Sequence, residues 1–184
     1  MLHTLHPEQW VDNYADKLYA FAKARVSSEE TARDIVQDTF LSAWKAREGF
    51  RGEASEKSWL YTICRNKITD HYRKAAHSLE ELGMDDYGSD LFTDEGHWRK
   101  DRLPEEWQTT SARLETKEFY NVLDFCKNKL KELQKAVFVM KYIDDIDTDE
   151  ICKILNITPS NYWVLVHRAK LQLRDCLDKS WFKK

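Results

Sequence analysis

Aromatic, amide, hydroxyl and guanidinium side chains share one face of the segment 57–74, KSWLYTICRNKITDHYRK. With a helical period of 3.6 residues, one face of this segment is expected to pack inward, and it consists of Leu60, Cys64, Ile68 and His71. The opposite face carries Trp59, Thr62, Asn66, Thr69 and Arg73. Groups of this kind stack on bases, hydrogen-bond to base edges and hold phosphates. The segment therefore predicts a nucleic-acid-binding helix, and an ordinary amphipathic surface helix is the alternative when it is taken alone.

A second candidate surface lies in the segment 31–44, TARDIVQDTFLSAW. Helical spacing predicts an inward stripe of Ala32, Ile35, Val36, Thr39 and Ala43. A neighbouring stripe holds Asp34, Gln37 and Leu41, with Asp38 beside it. An exposed Leu among acidic and amide groups is typical of a face that binds a basic protein. A solvated acidic face with one isolated Leu is the alternative, because single exposed apolar residues are common.

The segment 148–177 predicts a helix-turn-helix, with helices from Thr148 to Leu155 and from Pro159 to about Leu177. Asn156 suits the turn because Asn tolerates a left-handed backbone, and Thr158 provides an N-cap before the N1 proline. The candidate DNA contacts are Ser160, Asn161, His167, Arg168, Lys170 and Arg174. The apolar Tyr162, Trp163, Val164 and Leu165 are expected to divide between the core and contacts with thymine methyl groups. A helical hairpin without a DNA role is the alternative.

The elements that must position these residues are predicted to be helices. Five Gly and three Pro among 184 residues are too few for a turn-rich strand fold, so we expect an all-α chain. Further helices are predicted over residues 8–26, 112–128 and 130–143. Ser27 followed by Glu30 predicts a capping box at the start of the second helix. The segment 77–116 has no period and is rich in acidic residues, which predicts a flexible linker between two small helical domains.

Charge is unevenly distributed along the chain. The overall net charge is −3, but residues 1–76 carry +1, residues 77–116 carry −7 and residues 117–184 carry +3. Few phosphates can be neutralised by such a chain, so free DNA should be bound weakly. A partner is expected to supply most of the affinity for DNA.

Several function classes find no support in the sequence. Cys64, Cys126, Cys152 and Cys176 form no CxxC pair, and the histidines show no ligand spacing, so no metal site and no cofactor is predicted. Cys64 and Cys152 are expected to be small buried hydrophobes. No apolar run approaches a membrane span and MLHTLHPEQW is not a secretory signal, so we expect a cytoplasmic protein without membrane insertion.

Taken in order, the motifs resemble those of the sigma-70 family, in its short extracytoplasmic-function (ECF) group. The matching segments are DIVQDTFLSAW, the FRG of the loop at 49–56, WLYTICRNKITDHYR, LKELQKAVFVMKYI, DEICKILNIT and HRAKLQLRDCL. The resemblance implies a sigma-2-like three-helix domain at 1–76, an acidic linker at 77–116 and a sigma-4-like helix-turn-helix domain at 117–184. It implies an alternative sigma factor that binds core RNA polymerase, recognises promoter DNA and promotes strand opening.

The resemblance also implies a role for individual residues. Core polymerase, through the clamp helices of its β′ subunit, is expected to contact Asp34, Gln37, Asp38 and Leu41. The −10 element is expected to contact Phe50, Arg51, Trp59, Tyr61, Asn66, Asp70 and Arg73. The last three of these match the family pattern N-x-x-x-D-x-x-R. The −35 element is expected to contact Ser160, Asn161, Trp163, His167, Arg168 and Lys170. Further expected partners are the β flap and an anti-sigma regulator.

Two other functions are weighed against this one. A stand-alone helix-turn-helix regulator would use only the C-terminal segment and leave the faces at 34–41 and 57–74 without a purpose. An enzyme would need a clustered His/Asp or carboxylate constellation, and the sequence offers none. We therefore expect a protein that binds and opens DNA without covalent chemistry of its own.

Overall fold

The protein is described here by a computed structural model, which covers the backbone of residues 3–80 and 117–182 and the side chains of residues 3–76 and 117–182. The described residues form helices and no strand, which confirms the predicted all-α class. The chain divides into two compact units, Met1–Ala75 (unit 1) and Ala76–Lys184 (unit 2).

Unit 1 is built on three helices, as predicted. They are α1 (Trp10–Lys23), α2 (Glu29–Ala46) and α3 (Glu56–Glu80), with short 3-10 turns at Pro7–Gln9 and Arg47–Gly49. Helix α3 continues six residues beyond the predicted end at residue 74 and so enters the segment predicted to be a linker. The rest of that segment, 81–116, lies outside the described residues.

The core of unit 1 follows the predicted stripes closely. On α2 the buried residues are Ala32, Ile35, Val36, Thr39 and Ala43. On α3 the prediction is correct for Leu60, Cys64 and Ile68, but Tyr72 is buried where His71 was expected. The Tyr72 hydroxyl donates a hydrogen bond to the backbone carbonyl of Arg25, just after α1. This distant acceptor satisfies the buried phenol, so the larger ring can lie in the core while His71 stays half-buried.

The start of α2 differs from the prediction by one residue. Ser28, not Ser27, is the N-cap, and its Oγ accepts hydrogen bonds from the backbone N–H of Glu30 at 3.2 Å and of Thr31 at 3.4 Å. Ser28 has the extended backbone that an N-cap requires. Since both serines carry the same hydroxyl, spacing alone did not distinguish them.

Unit 2 contains the predicted helix-turn-helix. Its helices are α4 (Lys117–Asn128), α5 (Glu132–Tyr142), α6 (Thr148–Leu155) and α7 (Pro159–Leu177), followed by a π-helical turn at Asp178–Phe182. Asn156 ends α6 in the left-handed conformation, with φ 55° and ψ 46°. The Thr158 Oγ1 accepts from the Asn161 N–H at 3.2 Å and thereby caps α7. Both features of the predicted turn are confirmed.

A disulfide between Cys126 and Cys176 joins α4 to the last turn of α7. It lies in a core cluster with Leu130, Ala169, Leu173 and Leu177. The two cysteines are 50 positions apart in the sequence, and the segment between them contains the whole of α5 and α6. In the chain-entropy model, closing a loop of this length stabilises the folded state by about 4 kcal/mol. Sequence analysis did not find this pair, whereas Cys64 and Cys152 are free and buried as expected.

Candidate nucleic-acid and protein interfaces

The predicted −10 residues begin with an aromatic cluster at the loop before α3. The ring centroids of Phe50 and Trp59 lie 5.0 Å apart. Trp59 also contacts Trp10, at a centroid distance of 6.1 Å. Trp59 and Phe50 stay half-buried, while Arg51 is exposed. The loop turns sharply at Gly52, whose φ of 72° favours glycine. The loop therefore presents two adjacent aromatic rings and one cation at its surface.

Tyr61 belongs to a different set of contacts. Its ring packs edge-on against Phe21 of α1 at 5.1 Å, and the Lys57 Nζ lies 5.8 Å from its centroid. Tyr61 is half-buried. The structure thus brings Phe50 and Trp59 together but packs Tyr61 against α1.

Further along α3, the predicted polar residues are exposed as expected. Asn66, Asp70 and Arg73 all face solvent, and a guanidinium nitrogen of Arg73 lies 3.1 Å from a carboxylate oxygen of Asp70. An exposed pair at i, i+3 stabilises a helix only slightly. Two of the three residues of the family pattern thus lie in contact with each other on the surface of α3.

The predicted polymerase face on α2 is also exposed. Asp34, Gln37 and Asp38 face solvent, and Leu41 is 52% exposed. Trp44 follows one turn later, is equally exposed at 52%, and has the Arg47 guanidinium 4.1 Å from its ring. Sequence analysis missed Trp44, although its i+3 spacing from Leu41 places it on the same helical surface. Together, Leu41 and Trp44 form an apolar surface beside two carboxylates.

A cleft of about 520 Å³ runs between α2 and α3. Its α2 wall carries the Asp34 and Asp38 carboxylates, and its α3 wall carries basic side chains of Lys67, Arg73 and Lys74. The other lining residues are Thr31, Ile35, Asp70 and His71. Two of the predicted polymerase residues, Asp34 and Asp38, and two of the predicted −10 residues, Asp70 and Arg73, therefore lie on opposite walls of one cleft.

Helix α7 divides its apolar residues between core and surface. Tyr162 and Val166 are buried, Val164 and Leu165 are half-buried, and Trp163 is 61% exposed. Exposed residues recur at a helical spacing along one face: Ser160, Trp163, His167 and Lys170. Asn161 and Arg168, the other two predicted −35 residues, are half-buried beside this face. A helix that is anchored by Tyr162 and exposes such a face can enter a major groove.

The core of unit 2 also contains two lysines that sequence analysis did not identify. Lys135 of α5 is fully buried, and its Nζ donates to the Asn128 Oδ1 at 2.7 Å. Lys127 is nearly buried and lies 2.6 Å from an Asp124 carboxylate oxygen. Burial, followed by the neighbouring Lys127 charge, lowers the pKa of Lys135 to about 8. Amphipathic spacing carries no signal for a lysine that is turned inward.

The fold is that of an all-α protein whose second unit contains a helix-turn-helix, a motif typical of transcription proteins. Residues 10–78 match the family model for sigma-70 region 2, and residues 120–173 match the model for sigma-70 region 4. A probable RNA polymerase sigma factor from Haemophilus influenzae is 32% identical over 89% of this chain and 85% of that protein. The ECF RNA polymerase sigma factor SigW from Bacillus subtilis is 29% identical over 89% of this chain and 84% of that protein.

The chain belongs to the sigma-70 family of RNA polymerase sigma factors, in the ECF group, and it is an alternative sigma factor. The sequence matches carry this assignment. A solved structure of the sigma factor RpoE in complex with the anti-sigma factor NepR from Bartonella quintana aligns with a TM-score of 0.45 and 20% identity, over 94% of this chain and 97% of that one. Among the described residues, none of the helices is long and apolar enough to cross a membrane.

Proposed function

We propose that unit 1 docks this sigma factor on core RNA polymerase and opens the −10 element, while unit 2 binds the −35 element. One observation carries the proposal. Helix α3 buries its apolar stripe and exposes Asn66, Asp70 and Arg73, and the last two line a cleft whose other wall carries the exposed carboxylates of α2. One small compact unit can therefore hold the polymerase on α2 and DNA on α3.

The docking surface consists of Asp34, Gln37, Asp38 and Leu41, and we add Trp44 to it. Two carboxylates attract a basic partner and the apolar pair supplies area that is buried on binding. The β′ clamp helices are the proposed partner, on the strength of the family resemblance.

Strand opening uses the loop and α3. Unstacking a base costs a few kcal/mol, and aromatic and cationic groups on the captured strand offset that cost. Phe50 and Trp59 form the stacking surface, Arg51 and Arg73 contact phosphates, and Asn66 bonds to a base edge. Asp70 orients Arg73, whereas Tyr61 contributes mainly by packing against α1.

Promoter recognition at −35 uses the exposed face of α7. Trp163 contacts apolar groups such as thymine methyls, and the remaining predicted residues contact base edges and phosphates: Ser160, Asn161, His167, Arg168 and Lys170. The β flap is the proposed polymerase contact of unit 2. The domain limits 1–76, 77–116 and 117–184 complete the proposal, with the acidic middle segment as a tether.

The activity consists of binding and strand opening, and the protein performs no covalent step. We place it in the cytoplasm with the polymerase. An anti-sigma partner is part of the proposal because ECF proteins are commonly held inactive in this way.

Transcription in vitro tests the proposal. Purified protein is added to core polymerase on genomic fragments from the source organism, and the start sites are mapped. We expect specific starts that depend on the protein, and competition between the protein and the housekeeping sigma factor for core enzyme. Absence of any such start, or binding to DNA without competition for core, would contradict it.

A further inference from the structure

The carboxylate of Glu56, the first residue of α3, is a meeting point for three donors. The His6 backbone N–H and the Trp10 Nε1 both donate to Oε1, at 2.5 Å and 2.7 Å, and the Tyr14 hydroxyl donates to Oε2 at 3.1 Å. The donors lie 42 to 50 residues away in sequence. No residue that is predicted to contact DNA or polymerase takes part in these three hydrogen bonds.

The network holds the N-terminal segment, residues 3–14, against the first residue of α3, directly after the loop at 50–55. The His3 N–H adds a fourth bond, to the Gly52 carbonyl at 3.1 Å. Trp10 links the two parts, because its Nε1 binds Glu56 while its ring contacts Trp59. Trp10 is buried, which leaves its ring little freedom to move.

The loop is otherwise held at its two ends, where the Phe50 N–H donates to the Arg47 carbonyl and the Ser55 Oγ accepts from the Ser58 N–H. Arg51 and Glu53 are exposed, and Gly52 needs a left-handed backbone. A surface that captures an unstacked base gains rate when its rings are already in position, because no ordering cost remains at the moment of capture. Glu56 supplies that order through bonds to a charged acceptor, which are stronger than neutral ones.

We propose that Glu56 is a positioning residue, which fixes the loop at 50–55 and the Trp59 ring in the arrangement that captures an unstacked base during promoter opening. The inference rests on the proposed role of unit 1 in strand opening. It adds a residue that touches neither DNA nor polymerase.

Two variants test the proposal, with one matched control. Glu56→Ala removes all three acceptor contacts. Glu56→Gln keeps an Oε1 acceptor but replaces Oε2 by an amide. Glu53→Ala removes the same charge from an exposed residue of the loop itself, whose carboxylate makes no hydrogen bond or ion pair with the described residues.

The first measurement uses the free full-length chain. Hydrogen exchange of the amides at 50–55 should become about tenfold faster in Glu56→Ala, less so in Glu56→Gln, and remain unchanged in Glu53→Ala. Circular dichroism should show that all three variants stay helical. Unchanged exchange in Glu56→Ala would overturn the inference without any use of polymerase.

The second measurement separates binding from opening on a promoter from the start-site mapping. Closed-complex affinity should stay within about twofold of wild type, while permanganate-detected opening should slow about tenfold in Glu56→Ala. Glu56→Gln should recover part of that rate. An equal loss of affinity and opening that tracks a loss of folding would overturn the positioning role.

The two proposals fail in different ways. If the wild-type protein opens no promoter, the proposed function fails, and the exchange measurement still decides whether Glu56 orders the loop. If the wild-type protein opens promoters and Glu56→Ala does so equally fast, only the inference about Glu56 fails.

Discussion

Single residues on α2 give the most direct test of polymerase binding. Asp34 and Asp38 are exposed, so reversing their charge should not disturb the core. In the double variant Asp34→Lys, Asp38→Lys we expect binding to core polymerase to be abolished, a loss of more than about 100-fold, since attraction to a basic surface becomes repulsion. The measurement is a titration of fluorescently labelled protein with core enzyme.

The matched control for charge is Asp12→Lys, Asp16→Lys. These two residues of α1 are also exposed, and the change in net charge is the same. Binding should persist in this control. Retained binding in the α2 variant would move the interface elsewhere.

Arg73 tests the division between binding and opening. Its guanidinium is exposed and pairs only weakly with Asp70, so Arg73→Ala should leave the fold intact. We expect the variant to slow promoter opening more than it weakens the closed complex, measured by permanganate footprinting and gel shift. Arg65→Ala, an exposed cation on the same helix, is the control and should affect both steps only slightly. Equal loss in both steps for Arg73→Ala would reassign Arg73 to phosphate anchoring.

At the level of elements, the buried Lys135 makes the stability of unit 2 depend on pH. Burial, then the Lys127 charge, lowers its pKa from 10.5 to about 8, and nearby Glu132 and Asp124 oppose this only in part. Between these pH values the folded chain has released the proton while the unfolded chain still binds it, so stability rises with pH. Below about pH 8 Lys135 is charged in the folded chain as well, and the burial of that charge lowers the free energy of unfolding by its full amount.

Comparison with an apolar variant isolates this effect. Lys135→Met should remove the rise in the free energy of unfolding between pH 8 and 10.5, as measured by urea unfolding across that range. Lys153→Met, which changes an exposed lysine of α6, should keep the rise. A pH dependence that is identical in all three proteins would show that Lys135 does not titrate in this window.

At the scale of the whole molecule, the Cys126–Cys176 disulfide should make the two units respond differently to a reductant. Two equivalents of thiol, such as one dithiothreitol, convert it to two cysteine thiols, and the unfolded chain regains the entropy of a 50-residue loop. We expect the Tm of unit 2 to fall by more than about 10 °C, because about 4 kcal/mol is large for a small unit. Unit 1 should be unaffected, since its one cysteine, Cys64, is free and buried.

Cysteine variants assign that change to one bond. Cys126→Ser, Cys176→Ser should melt at the reduced midpoint with or without dithiothreitol. Cys152→Ser should still respond to the reductant, because Cys152 is not in the disulfide. If the Tm of unit 2 in the wild-type protein were the same with and without dithiothreitol, the prediction would be wrong.

Local sequence determined the helices, the buried stripes of α2 and α3, the Asn156 turn and the Thr158 cap, because each depends on residues within a few positions of one another. Tertiary structure alone decided the rest. Tyr72 is buried instead of His71 because a carbonyl 47 residues away accepts its hydroxyl. Cys126 meets Cys176, and Glu56 collects donors from the N-terminal segment, only because folding brings distant parts of the chain together. Lys135 is buried because α5 lies in the core of unit 2, where the nearby Asn128 side chain accepts from its Nζ. Spacing along one helix carries no information about such partners.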